Sequence, residues 1–234
     1  MITKDDVRTV EKALKANNFN VRYLDKAADA IPLILDLIPT DASLEMAGSM
    51  SIVQMGLQDA LRKRGNPGFE FPKPGDPPTR KDVLLVSTNA VTLDGKLVNL
   101  DGMGNRVASM VYGVKKVILL VGRNKIVRDV DEAMERIKKV IAPYHAKNLG
   151  LETPCAFTGE CSDCDSPQRI CNVTTILWKK PPMMDFTILL VDEDLGLGWD
   201  PDWPRERIEK IQETYRTEIQ KFLATLPPPP HEKK

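Results

Sequence analysis

All four cysteines of the 234-residue chain fall within one short segment, as Cys155-x5-Cys161-x2-Cys164-x6-Cys171. Four clustered thiolates suit a soft metal, since tetrahedral zinc takes four sulfurs and so does a [4Fe-4S] cluster. Structural zinc sites commonly present two Cys-x2-Cys knuckles. This segment has a single one, at Cys161 and Cys164, with longer irregular arms on either side. The spacing favours the iron–sulfur cluster, with zinc as the alternative and metal-free thiols, redox-active or inert, as a third reading. Gly159, Pro154, Pro167 and the small polar residues between them would let backbone N–H groups turn toward thiolate or sulfide.

Two further stretches carry polar groups suited to a small anion. The turn Ala47-Gly48-Ser49-Met50-Ser51 sits where a strand gives way to a helix, so its free N–H groups could hold phosphate or carboxylate. A tight turn with a serine cap explains the same residues without a ligand. The run from Ser87 to Arg106, STNAVTLDGKLVNLDGMGNR, gathers carboxylate, amide and guanidinium groups at strand ends, where open α/β sheets bind ligands. Asp94-Gly95 reads as a hairpin turn and Asn99 as a partner for loop backbone. Asp101, Asn105 and Arg106 are the better candidates. Asp101 is the leading general acid/base, because a carboxylate exchanges protons near neutrality once its pKa is raised. Gly122-Arg123-Asn124-Lys125 follows another apolar strand in the same topological position, so Lys125 can reach the same crevice. The expected binding set is therefore Gly48, Ser49, Ser51, Asn89, Asn105, Arg106 and Lys125. His145 reads as a helix cap or surface residue, and Met46, Met50, Met55 and Met103 as core filler.

The elements that must position these groups alternate between strand and helix. Thr3 with Asp6 resembles a capping box for a helix buried through Val7, Val10, Ala13 and Leu14. A strand through Phe19, Val21 and Tyr23 follows, then a helix over 27–38 with Pro32 in its first turns. A strand over 43–47 leads to a helix over Ile52, Met55, Gly56 and Ala60, capped by Ser51 with Gln54 and stopped by Gly65. Residues 66–79, rich in proline, form a connection or flap. Val83–Val86 and Val117–Val121 read as strands covered on both faces, with an Asp94-Gly95 two-residue hairpin between them and a short helix at 107–112. Asp129 and Glu132 cap a helix ending near Pro143, and strands at 175–178 and 186–191 close the set. The pattern predicts an α/β domain over 1–203: a mostly parallel open sheet with helices on both faces and one antiparallel hairpin. From Pro204, the recurrence of Ile208, Ile211, Tyr215, Ile219 and Phe222 predicts an amphipathic helix over 204–226 that needs a docking surface, on this domain or on a partner. Residues 227–234 read as a disordered tail.

Lys and Arg balance Asp and Glu at 33 each, so no global field draws the chain to nucleic acid or an anionic membrane. The longest apolar runs are far shorter than the ~20 residues that span a bilayer. The opening MITKDDVRTV lacks an export signal, which together with clustered thiols predicts a cytoplasmic protein. No Ser-His-Asp pattern and no Gly-x-Gly-x-x-Gly fingerprint is present, so a dinucleotide or flavin carrier would belong to a partner.

Taken together, Gly48-Ser49-Met50-Ser51 with Met55-Gly56-Leu57, the run 87–108, GRNKIV at 122–127 and PCAFTGECSDCDSPQRICN at 154–172 resemble the LUD-domain (lactate utilization) family over about residues 3–200. The resemblance implies a fold similar to the ribose-phosphate isomerases and coenzyme A transferases. It also implies a redox or accessory subunit for a small 2-hydroxy or 2-oxo acid, acting beside iron–sulfur and flavin oxidoreductase subunits. The chain departs from the related enzymes at two points: no acidic residue follows Thr88-Asn89-Ala90, and no glutamate nucleophile stands out. The alternatives are an isomerase- or transferase-like or ligand-sensing protein with structural zinc, and a structural subunit of a larger complex. A homo-oligomer stays open.

Overall fold

In the computed structural model, which describes residues 2–67 and 80–224, two sheets share one α/β architecture. The first is wholly parallel, with strands β1 (Asn20–Leu24), β9 (Asp185–Val191), β6 (Lys116–Gly122), β3 (Val83–Val86) and β2 (Leu44–Glu45) in that order. β3 is buried along its whole length, as its unbroken apolar run requires. Helix α1 (Lys4–Ala16), opened by the Thr3–Asp6 capping box, covers one face through Val7, Val10 and Leu14. α2 (Ala30–Leu37), entered through a 3-10 turn at Ala27–Asp29, covers the other with α3 (Met50–Gln54) and α4 (Leu57–Arg64).

The second sheet was not anticipated as a separate unit. It runs β7 (Ile126–Val127), β4 (Ala90–Thr92), β5 (Leu97–Asp101), β8 (Val173–Leu177), with antiparallel pairs β4–β5 and β5–β8 and a parallel pair β4–β7. The strand expected at 175–178 therefore belongs here, beside the hairpin. Two-residue strands such as β7 carry too little pattern to be read from sequence.

Several boundaries differ from expectation for local reasons. The hairpin turns through Leu93, Asp94 and Gly95 rather than two residues, since Thr92 N–H donates to the Lys96 carbonyl and Gly95 takes φ 81°. The helix expected from Ser51 to Gly65 breaks at Gly56, which takes φ 63° between α3 and α4. Ser49, not Ser51, is the N-cap of α3, and Gln54 instead accepts from Gly196 N–H at 2.8 Å. The helix from Val130 does not stop at Pro143. After the short α5 (Asn105–Ala108), α6 (Val130–Arg136) passes through a π turn at Ile137–Ile141 into α7 (Ala142–Asn148), and α8 (Pro154–Thr158) opens the cysteine segment. Proline cannot donate to the preceding turn and its ring crowds the carbonyl four residues back, and the wider π turn accommodates both.

The terminal helix α9 (Arg205–Ala224) docks on its own domain: Ile211, Tyr215, Ile219 and Phe222 are buried with Val98, Ala133, Ile137, Trp199 and Trp203. The expected flap falls mostly outside the described residues, and the expected tail at 227–234 falls wholly outside them. No helix among the described residues is long and apolar enough to cross a membrane.

Candidate functional site

Strand ends β2, β3 and β6 of the parallel sheet, and β5 of the second sheet, converge on a cavity of about 300 Å³. Gly48, Ser49, Ser51, Asn89, Asp101, Asn105, Arg106 and Lys125, the whole set expected from sequence, line it. Their roles separate once the contacts are read.

Arg106 is the hub of one wall. Its Nε donates to Asp101 Oδ1 at 2.7 Å, Nη1 to the Ser87 carbonyl at 3.1 Å, and Nη2 to Asn89 Oδ1 at 2.7 Å and the Leu100 carbonyl at 3.0 Å. Asp101, only 7% exposed, uses its other oxygen to accept Val107 N–H at 3.0 Å. Both carboxylate oxygens are thus engaged, Oδ1 by Arg106 and Oδ2 by Val107 N–H. Asn89 is likewise engaged, accepting Leu100 N–H at 2.9 Å as well as Arg106. Asn105 reaches from the cavity edge to Glu45 Oε1 at 3.2 Å.

Lys125 is the opposite case. It is 5% exposed, and its Nζ donates to the Leu197 carbonyl at 2.9 Å. Among the described residues no carboxylate pairs with it. Burial first, then the positive charges of Arg106 and Arg136, push its pKa down to about 7. The nearby Arg136 is matched by Glu132 at 2.8 Å, so Lys125 is the uncompensated cation of this region among the described residues. Its backbone is fixed by a 3-10 turn, Arg123–Lys125, locked to 195–198 through Asn124, which accepts Leu195 N–H at 2.9 Å and donates to the Gly198 carbonyl at 3.1 Å. A Cβ on Gly122 would stand 2.6 Å from Leu195 N, so only glycine allows this approach.

The turn at 47–51 has left-handed backbone at two successive residues, Ala47 at φ 42° and Gly48 at φ 65°. Alanine in that region is strained, a feature that collects at functional sites. The N–H groups of Met50 and Ser51 open α3 with no preceding helical turn to bond to. α3 spans only five residues, so those N–H groups, rather than a long helix dipole, are what the turn offers an anion.

Two lining residues were missed from sequence. His145 Nδ1 is hydrogen-bonded to the Tyr215 hydroxyl, and both line the cavity. Against the expectation of a helix cap or surface residue, His145 is half-buried in the cavity wall. Burial, with Arg106 second, lowers its pKa to about 4. Burial raises the Tyr215 phenol. The available signal was the four-residue spacing Ile137, Ile141, His145, which puts the histidine on a buried helical stripe.

Beside this cavity lies a second of about 200 Å³, lined by Cys155, Cys161, Cys164 and Cys171. The two share Leu100, Ala142 and Ile170 as a common wall. All four thiols are free, Cys161 exposed and the others half-buried. Arg169 straps the segment, donating to the Cys164 carbonyl at 2.6 Å and the Cys171 carbonyl at 3.2 Å while pairing with Asp163 at 2.7 Å. Burial raises the Cys171 thiol, against the opposing pull of Arg169. Among the described residues no group of three or more His, Cys, Asp or Glu is gathered as a metal-ion site. The cysteines surround a shared space without closing on one point.

A family model described as LUD domain matches residues 7–191. The chain is also similar to a solved structure of a DUF162 family protein from Deinococcus radiodurans, at 14% identity and TM-score 0.49, covering 82% of this chain and 99% of that one. No curated protein sequence matches the chain.

Proposed function

The chain belongs to the LUD-domain family, that of lactate-utilization-type proteins, and from that premise we propose that its larger cavity binds a small 2-hydroxy or 2-oxo acid. The observation that carries this reading is Lys125. A buried cation without a carboxylate partner, in a cavity whose lining carboxylate is already neutralised by Arg106, selects an anion. In this reading the ligand carboxylate sits against the N–H groups of Met50 and Ser51 and the side chain of Asn105, while Lys125 faces the oxygen on the neighbouring carbon. His145 and Tyr215 line the cavity as a hydrogen-bonded pair able to pass a proton.

Cys155, Cys161, Cys164 and Cys171 would hold a [4Fe-4S] cluster, which supplies one-electron exchange when bound. The shared wall of Leu100, Ala142 and Ile170 supports a redox or accessory role for the two cavities together. Turning a hydroxy acid into an oxo acid moves two electrons, so a flavin or iron–sulfur partner subunit is part of the proposal. Free thiols suit a reducing compartment such as the cytoplasm.

Calorimetric titration with L-lactate, pyruvate and neutral 1,2-propanediol tests the ligand class. Saturable binding of the acids and none of the diol is expected. Equal binding of the diol, or no binding of either acid, overturns it.

A further inference from the structure

The anion reading does not account for the amine itself. Anion binding alone would be served by an arginine, which keeps its charge when buried, whereas a lysine loses its charge readily there. The chain uses arginine at two other positions of this region, Arg106 and Arg136, and places a lysine at the remaining cationic position. Its Nζ has one fixed acceptor, the Leu197 carbonyl, on a backbone locked by Asn124, so the nitrogen is held in one place against a cavity large enough for a three- or four-carbon acid. With the ligand carboxylate in the pose proposed above, a nitrogen so held would meet the neighbouring carbonyl carbon of a 2-oxo acid.

We propose that Lys125 is a covalent catalytic residue that condenses with the ketone of a 2-oxo acid to form an imine. This rests on the reading of the larger cavity as a 2-oxo acid site. The step balances within the site: the ammonium of Lys125 and the ketone become a protonated imine and one water. The C–N bond forms, the C–O bond breaks, and the two protons lost by nitrogen leave with the oxygen. No oxidant or further reactant enters. The positive charge that matches the ligand carboxylate persists, because the protonated imine carries the same charge as the ammonium it replaces. A pKa near 7 leaves a substantial share of the amine unprotonated at neutrality, as nucleophilic attack requires. His145, held down to about 4 and so neutral at pH 7, lines the same cavity as a proton acceptor.

The test is reductive trapping on the full chain. Protein is incubated with pyruvate, with and without sodium borohydride, and followed by intact mass and peptide mapping, while pyruvate binding is measured in parallel by calorimetry. The expected result is a borohydride-dependent gain of one reduced pyruvate on the peptide carrying Lys125, absent from Lys125→Met and suppressed by excess L-lactate, which occupies the cavity but has no carbonyl. Pyruvate that binds without labelling Lys125, or that labels only surface lysines, overturns the imine and leaves the ligand class standing. Pyruvate that fails to bind overturns both.

Discussion

The backbone N–H of Asn172 donates to the carbonyl of Asp101 at 2.9 Å, tying the residue after the last cysteine to the residue that holds Arg106. Asn172 Nδ2 adds a bond to the Gly102 carbonyl at 3.0 Å, and a Cβ on Gly102 would stand 3.2 Å from Ile170 Cα. The cysteine segment is therefore fastened onto the wall of the larger cavity. A change in one is expected to be felt in the other through this contact.

The cysteine assignment is tested by anaerobic reconstitution with ferrous iron and sulfide. A brown protein with about four irons and four sulfides per chain is expected. Cys161→Ser should lose most of both, and Arg169→Met should hold them less firmly because the strap across Cys164 and Cys171 is gone. A colourless protein with a single zinc favours the structural-zinc alternative. Full retention of metal by Cys161→Ser removes that residue from the ligand set.

Lys125→Met should stabilise the fold. The folded pKa near 7 lies below the ordinary lysine value of 10.5. Between those values the unfolded chain binds more protons, so wild-type stability rises with pH across that window and its full cost is present below it. At about 1.4 kcal/mol per pKa unit, the gain at neutral pH is on the order of a few kcal/mol, and it shrinks as pH climbs toward the upper limit. Denaturant melts of both proteins at several pH values check this. A variant that is destabilised at neutral pH contradicts the description of Lys125 as an unpaired buried cation.

Asp101→Asn separates holding Arg106 from proton exchange. Removing one partner of a buried ion pair should cost about 3–5 kcal/mol. The lost negative charge should leave L-lactate affinity unchanged or tighter, since Arg106 then adds to the positive field of the cavity. Unchanged stability with abolished lactate binding would reverse these roles.

Ile219→Ala should cost about 2–5 kcal/mol in denaturant melts, as for any fully packed core position. Ile219 is 2% exposed against the second sheet's cluster. If α9 served a partner instead, the isolated chain would barely register the change.

The parallel sheet was legible because β3 and β6 are continuous apolar runs that few other environments tolerate, and α1 because Thr3, Asp6 and its buried stripe agree. The convergence of Gly48, Asp101, Arg106 and Lys125 on one cavity followed from strand ends alone. What could not be read was which polar groups satisfy one another: Asp101 and Lys125 look alike as candidates until the ion pair to Arg106 and the lack of any pair on Lys125 are seen. The π turn that carries the helix past Pro143 could not be read, because a proline inside a helical pattern ordinarily marks its end. The second sheet was missed because β7 and β4 are only two and three residues long.

The central claim, that a protonated Lys125 selects the anion, is tested most directly by the dissociation constant of L-lactate as a function of pH from 6 to 9. Lactate is ionised throughout and has no ketone, so the profile reports the lysine charge. The account predicts constant affinity below about pH 7 and roughly tenfold weaker binding for each pH unit above it, as the free site loses its proton. Lys125→Met should bind weakly and without pH dependence. A flat wild-type profile, or wild-type affinity in Lys125→Met, would contradict it.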